Sequence, residues 1–404
     1  MARRKEKVCL CISIPIICII IIIIICATHF NEECADGLYK NAAVAADSET
    51  CSKIGRDILQ LGGSAVDGAI ATLLCTSIIN PQSMGIGGGS IFTIREQSGK
   101  VRVINARETV PKAFKTDLLA MCPTTTQPME GAHWIGVPGD IRGYERAHKL
   151  YGRLPWASLF EPTIKMAREG VPVPYVLSRF LPLLLKEKPE AVEIIQKHFA
   201  DKVRAKISPD RTYDASYYNI TPYLDSHGTT HVSVLAEDGM AVSVTSTINH
   251  IFGSRIFSPK TGILLNNELA DFCGKTDQIH AGEQPPSSMS PVILYSPSQK
   301  HIVVIGASGG SMITTGVALT LMNFLWFGKT LQDSISAPVV FVDSKNILNF
   351  EPLFDKIVLE SLYKIGHKVK VPQMFYNVVN AVSKENNCIV AVSDSRKNGK
   401  AAGY

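Results

Sequence analysis

Two alternating runs on either side of Glu237-Asp238-Gly239 commit the second half of the chain to a long antiparallel hairpin. The turn admits two registers. A two-residue turn would set Val234 against Ser243, whereas a three-residue loop with Gly239 left-handed sets Val232 against Val244 and Val234 against Val242. The second register pairs apolar with apolar and is the one expected. It places Thr229 opposite Thr247, with Asn249 just beyond, so three polar side chains gather at the open end of one hairpin.

Further strands are expected over 42–46, 90–94, 101–105, 262–265, 292–295 and 301–305, and helices over 52–61, 139–150, 159–169 and 311–327. Ser64 reads as the cap of another helix reaching about Ser77. Helices at both ends with antiparallel strands between them point to a layered α+β domain rather than a parallel, doubly wound sheet. The stretch 171–223 is punctuated by prolines, then charged and helical, and carries no clear strand pattern.

Before this domain the chain runs almost wholly apolar from Val8 to Thr28, including seven consecutive isoleucines from Ile19 to Ile25. That length can span a bilayer, which makes residues 8–28 a retained signal anchor; a cleaved signal peptide ending near Cys26-Ala27-Thr28 is the alternative. Arg3, Arg4, Lys5 and Lys7 leave the tail, 1–7, in the cytoplasm and the rest outside: a single-pass type II protein of the plasma membrane. With Glu6, this tail accounts for +3 of the net charge of +5, so the remainder is near neutral and offers nucleic acid no basic face.

Cys9, Cys11, Cys18 and Cys26 fall in the anchor, leaving Cys34, Cys51, Cys75, Cys122, Cys273 and Cys388 to an oxidising compartment. No CxxC pair suggests zinc. Asn219-Ile220-Thr221 is a glycosylation sequon.

A threonine that follows glycine at a strand start can attack its own preceding carbonyl, because glycine tolerates the distorted backbone the attack needs. Hydrolysis of the ester frees the amine, which then serves as base for the neighbouring hydroxyl. Gly228-Thr229 fits this chemistry, and it also fits a plain strand start, threonine being strand-prone. Downstream, Gly309 and Gly310 lie between a strand and a helix, where backbone N–H groups can face a developing oxyanion. Nucleotide binding is the rival reading. It lacks GK[ST] and GxGxxG, and the glycine loop from Met84 to Gly89 follows a helix and precedes a strand, the reverse of the dinucleotide order. That loop otherwise reads as a tight turn for close backbone packing. Arg107 could clamp a carboxylate, Glu268 and Asp271 an ammonium, and Ser287 and Ser288 could donate to the same carboxylate.

At these residues the sequence resembles the gamma-glutamyltransferases, or glutathione hydrolases. The carrying segments are AVAAD from Ala43, MGIGGG from Met84, INARE from Ile104, VPGDIRGY from Val137 and GRLPW from Gly152. In the second half they are GTTHVS from Gly228, TSTIN from Thr245, GILLNNELADF from Gly262, Ser287-Ser288-Met289 and the C-terminal AAGY. The resemblance implies an N-terminal nucleophile hydrolase, a four-layer αββα sandwich, that cuts itself before Thr229 into a large-subunit part, 29–228, and a small catalytic part, 229–404, which stay together as a heterodimer. It implies Thr229 as nucleophile, Thr247 as its orienting partner and Gly309 with Gly310 as oxyanion hole. Arg107, Ser287 and Ser288 would hold the donor's α-carboxylate, and Asn249, Glu268 and Asp271 its α-amino group. Cys51 with Cys75 would form a disulfide, and neither metal nor cofactor is required. PQSMGIGGGSIFTI, ARETVP, WIGVPG and VLSRFL look most like the leukotriene C4-cleaving branch. The implied donors are glutathione, its conjugates and leukotriene C4, with water, amino acids or peptides as acceptors. One departure is large: a long stretch of the large subunit is missing between Leu185 and Lys186. Ala270 stands where many relatives carry an acid. The alternative is therefore a catalytically inactive, unprocessed, membrane-tethered variant of the same family.

Overall fold

The structure is a computed structural model that describes residues 34–35, 37–123, 129–185, 227–343, 346–372, 377–385 and 387–404. The expected tail 1–7, span 8–28 and sequon at Asn219 lie outside these residues. No helix among the described residues is long and apolar enough to cross a membrane.

Period-two alternation and one tight turn organise the main sheet. It consists of β1 (Ala43–Ala45), β2 (Gly89–Arg95), β3 (Val101–Ala106), β4 (His227–Leu235), β5 (Ala241–His250) and the C-terminal β15 (Ala402–Gly403), all neighbours antiparallel in the order β15-β1-β4-β5-β2-β3. The β4–β5 hairpin adopts the expected register, with Val232 opposite Val244 and Val234 opposite Val242. Gly239 closes the three-residue loop at φ 83°. A ribbon of β6 (Ile256–Ser258) and β7 (Ile263–Leu265) follows. The second sheet holds β8 (Val292–Ser296), β9 (His301–Ser308), β13 (Val378–Glu385) and β14 (Cys388–Ser393) in the order β14-β13-β9-β8. A third, small sheet of β10 (Val340–Val342), β11 (Ile347–Phe350) and β12 (Lys368–Lys370) contains a parallel pair, β11 with β12.

The two larger sheets pack face to face through Ala43, Ala45, Leu235 and Ala241 on one side and Ile302, Val304, Val382 and Ile389 on the other. His231 sits in the same interior, its ring nitrogens 2.8 Å from the Thr245 hydroxyl and 3.0 Å from that of Ser233. Burial lowers its pKa to about 3, so the ring is neutral and its polar atoms are satisfied by hydroxyls. The ring fills the space over Gly306, where an added Cβ would lie 2.2 Å from it.

Helices α1 (Glu49–Gln60), α2 (Ala65–Ile79) and α3 (Asp140–Tyr151) cover the outer face of the main sheet, burying Phe92, Ile94, Val232 and Val244 against Ile58, Ile70, Leu73 and Tyr144. Each such fully buried side chain is worth about 1.5–3 kcal/mol. The Ser64 cap is a reciprocal box: its hydroxyl accepts from the Asp67 N–H, and the Asp67 carboxylate accepts from the Ser64 N–H. Asp67 also accepts from the Arg153 and Leu154 amides, which ties the GRLPW segment to α2. α4 (Glu161–Glu169) lies against α2, and α5 (Tyr175–Leu185) seats Val176, Leu177 and Phe180 on Ile251 and Phe252. This helix falls in the proline-punctuated part, where none was expected; the helical reading of the charged part from Lys186 on lies outside the described residues.

On the far side, α6 (Ile313–Leu325) and α7 (Leu331–Ser336) cover the second sheet through Ile313, Val317, Leu331 and Ile335. The layers therefore run helix, sheet, sheet, helix, with α8 (Lys356–Lys364) beside the small sheet. Cys51 and Cys75 join α1 to α2. Two further disulfides, Cys34–Cys388 and Cys122–Cys273, join distant parts of the chain.

Candidate active site

The open end of the β4–β5 hairpin departs from regular pairing by one residue. Thr229 faces Thr247 as expected, but the next pair is Gly228 with Asn249, so Ile248 is an extra residue in a β-bulge. Asn249 takes φ 72°, a left-handed conformation that asparagine tolerates better than most residues. The bulge turns the Thr247 hydroxyl toward the peptide before Thr229. That hydroxyl donates to the Gly228 carbonyl oxygen at 2.5 Å and accepts from the Thr229 hydroxyl at 3.2 Å and the Asn249 N–H at 2.8 Å. All three side chains are nearly fully buried. Gly228 is sterically obligatory, because a Cβ there would lie 2.6 Å from the Gln82 carbonyl oxygen and 2.8 Å from that of His250.

Behind Thr229 lies a residue that sequence reasoning missed. The Lys397 ammonium donates to the Thr229 carbonyl, to Asp47 Oδ2 at 2.7 Å and to the Ser308 hydroxyl at 3.2 Å. Asp47 also accepts from the Thr230 hydroxyl and the Asn380 amide, so its charge is paired with Lys397 and both of its oxygens are hydrogen-bonded. Within Asp394-Ser395-Arg396-Lys397-Asn398, the lysine reads as one more solvated charge. The usable signal was the pairing of the two matched segments, AVAAD and the C-terminal AAGY, which β1 and β15 bring side by side.

Ser308 ends β9, and Gly309 and Gly310 follow at φ 131° and 58°, both in the region that favours glycine. They bend the chain into a 3-10 turn, Gly310–Met312, that packs against β4, and this turn delays the start of α6 to Ile313 rather than Ser311. Through Lys397, the strand end carrying these glycines is fixed to the Thr229 backbone.

The acidic and basic candidates converge beside this hairpin. Asn266 Oδ1 accepts from the Glu268 and Gly136 amides, while its Nδ2 donates to the Gly87 and Gly136 carbonyls. Asn249 Nδ2 donates to the Asn267 carbonyl, which links the hairpin end to the Glu268 segment. The Met84–Gly89 loop is held by backbone packing: a Cβ at Gly88 would meet the Thr247 carbonyl oxygen at 2.0 Å, and one at Gly87 the Leu264 oxygen at 2.1 Å. Close packing is thus the reason for those glycines.

Arg107 was expected to face a ligand carboxylate while Glu268 and Asp271 faced an ammonium. Instead the three meet. Arg107 Nη1 contacts Glu268, and Nη2 donates to Asp271 at 2.7 Å and to the Pro286 carbonyl at 2.8 Å. Nε donates to the Pro285 carbonyl, so the guanidinium also anchors the loop that carries Ser287, which is exposed, and Ser288, which is half-buried. A buried cation needs partners, and these acids supply them. Burial works against the Arg107 charge, yet Glu268, Glu108 and Asp271 hold it more firmly protonated than usual. Burial raises Glu268 to about 7, with Arg107 opposing the shift. Burial, and then the Glu268 charge, push the Glu108 carboxyl well above its ordinary value, with Arg107 opposing the shift. Among the described residues, no group of three His, Cys, Asp or Glu side chains is arranged to hold a metal ion.

The sequence matches the family described as Gamma-glutamyltranspeptidase over residues 51–194 and 185–404. It is 35% identical over 542 residues to the Glutathione hydrolase 5 proenzyme of Rattus norvegicus, covering 93% of this chain and 95% of that one. Identity to the Homo sapiens protein of the same name is 34%, covering 92% of this chain and 94% of that one. A 404-residue chain cannot fill 542 aligned positions, so well over a hundred positions of the rat relative have no counterpart here. Among solved structures, cephalosporin acylase from Bacillus halodurans superposes with a TM-score of 0.75 at 18% identity, covering 93% of this chain and 98% of that one. This likeness shows the fold alone, a layered arrangement of mixed α/β content.

Proposed function

Because the chain belongs to the gamma-glutamyltranspeptidase family, enzymes of gamma-glutamyl hydrolysis or transfer, we propose that it works through a gamma-glutamyl-Thr229 ester after cutting itself at Gly228-Thr229. The observation that carries this reading is the Thr247 hydroxyl, bonded at once to the Gly228 carbonyl and to the Thr229 hydroxyl. A donor on that carbonyl oxygen stabilises the charge that develops when the Thr229 hydroxyl adds to its carbon. The C–N bond then breaks, nitrogen takes the hydroxyl proton, and one water hydrolyses the ester to a Gly228 carboxylate and a free Thr229 amine. The relatives' designation as proenzymes supports such a step.

In the two-part product the amine removes the proton from the Thr229 hydroxyl, which attacks the donor's γ-carbonyl. The Gly309 and Gly310 amides receive the oxyanion, the amine leaving group departs protonated, and water, an amino acid or a peptide takes the glutamyl group. Arg107 with Ser287 and Ser288 would hold the α-carboxylate, and Asn249, Glu268 and Asp271 the α-ammonium. A zwitterion suits a site where acid and base already face one another, since each charged end takes over one half of an existing pair. Glutathione, its conjugates and leukotriene C4 are the donors this reading assigns. The three disulfides and the apolar stretch from Val8 to Thr28 support residence at the plasma membrane, with the catalytic part outside.

A reduced denaturing gel of the cell-surface protein tests the central step. Two fragments are expected, one beginning at Thr229. A single uncut band would instead fit the inactive, unprocessed variant, and gamma-glutamyl turnover by an uncut chain would sink the mechanism.

A further inference from the structure

The two disulfides that the sequence left unpaired share a property: each has one cysteine before Gly228-Thr229 and one after it. Cys34 pairs with Cys388, 354 residues on, and Cys122 with Cys273, 151 residues on, each with Cα atoms 5.6 Å apart. Resting on the self-cleavage reading above, we propose that these bridges keep the two products of the cut covalently joined, so that the small part never leaves the part that carries the anchor.

The bridges act at different places. Cys34 lies just past the apolar stretch, and Cys388 opens β14 of the second sheet, where Tyr39 also pairs with Ile389. This bridge couples the membrane-proximal end of the first part directly to the small part. Cys273 follows the turn that carries Glu268 and Asp271, while Cys122 belongs, like Arg107, to the first part. The donor site is therefore shared between the two products, and the second bridge pins one half beside the other. A cut interface held only by packing can separate on dilution or partial unfolding. A covalent link replaces that bimolecular equilibrium with an intramolecular one, whose effective concentration is on the order of millimolar or above. Together the two bridges give the molecule the connectivity of one chain and the free Thr229 amine of two.

Denaturing gels of the full chain, run with and without a thiol reductant on protein whose free thiols are blocked beforehand, test this. One band without reductant and two with it is the expected result. Two bands in both lanes would overturn the tether and leave self-cleavage standing. One band in both would overturn self-cleavage and the tether with it. Proteolytic mapping of the unreduced protein should recover peptides linked through Cys34–Cys388 and Cys122–Cys273. Recovery of neither pair would also overturn the proposal.

Discussion

The Lys397 ammonium lies 2.7 Å from the Asp47 carboxylate with neither side chain exposed, and the same ammonium holds the carbonyl of Thr229. The C-terminal segment thus braces the strand start where the proposed chemistry takes place. Removing one member of such a pair leaves an uncompensated buried charge, which costs about 3–5 kcal/mol. Lys397→Met should lower stability by about that much in urea unfolding, and adding Asp47→Asn should recover a large share. A Lys397→Met protein as stable as the wild type would remove the pair from the framework of the site.

The Thr247 hydroxyl can be removed without changing side-chain volume. Thr247→Val should slow appearance of the Thr229 fragment by about a hundredfold or more, the usual cost of losing one donor to a developing oxyanion. A time course on reduced gels measures this. An unaltered rate would mean the hydrogen bond to Gly228 takes no part in the cut.

Glu268 and the new amine should both shape the acid limb of the pH profile. Burial raises Glu268 to about 7, and the ammonium of a donor needs it ionised, so donor capture weakens as pH falls through that value. An α-amine ionises near about 7.7–8.0 and must be neutral to act as base. With both protons counted, kcat/KM should fall about a hundredfold per pH unit well below 7, and Glu268→Gln should reduce that to about tenfold. A wild-type slope of a single proton would detach Glu268 from donor binding.

Arg107→Ala should weaken donor binding without stopping the cut. It also removes the cation that opposes the rise of Glu268, so the Glu268 limb should move to higher pH. Donor affinity equal to that of the wild type would exclude Arg107 from the site.

Asp140, at the start of α3, accepts from the Ser246 hydroxyl, and burial raises its pKa from 3.8 to about 7. Between those values the folded chain keeps a proton that the unfolded chain has lost, so stability falls as pH rises across the window, by up to about 4 kcal/mol. Asp140→Asn should flatten that part of the stability curve and leave the protein at least as stable as the wild type near pH 7. Chemical unfolding at pH 4 and pH 7 decides the matter.

The hairpin register was legible because alternation and turn chemistry are local, and each rejects a one-residue slip. The bulge at Ile248 was not, since nothing in Thr245 to Asn249 distinguishes a regular strand end from one with an extra residue. The grouping of Arg107 with Glu268 and Asp271 depends on burial, which a residue list does not carry. Cysteine pairing is a property of the folded chain: the family resemblance supplied Cys51 with Cys75, and only the packing of β14 and of the Glu268 turn supplied the other two. Lys397 escaped notice because its partners Asp47, Thr229 and Ser308 come from three other segments of the chain, and the helix Tyr175–Leu185 because only Ile251 and Phe252 account for its apolar face.

The order β15-β1-β4-β5-β2-β3 weaves together residues from both sides of Gly228. Strands of the first part flank the hairpin of the second, and the final strand of the second closes over the first. The second part holds all of β8, β9, β13 and β14, but neither part holds the whole of the six-stranded sheet, so that sheet and the site at its hairpin form only from both. The proposed scission must therefore follow assembly, and the two halves synthesised from separate messages would each expose bare edges of this sheet in search of neighbours.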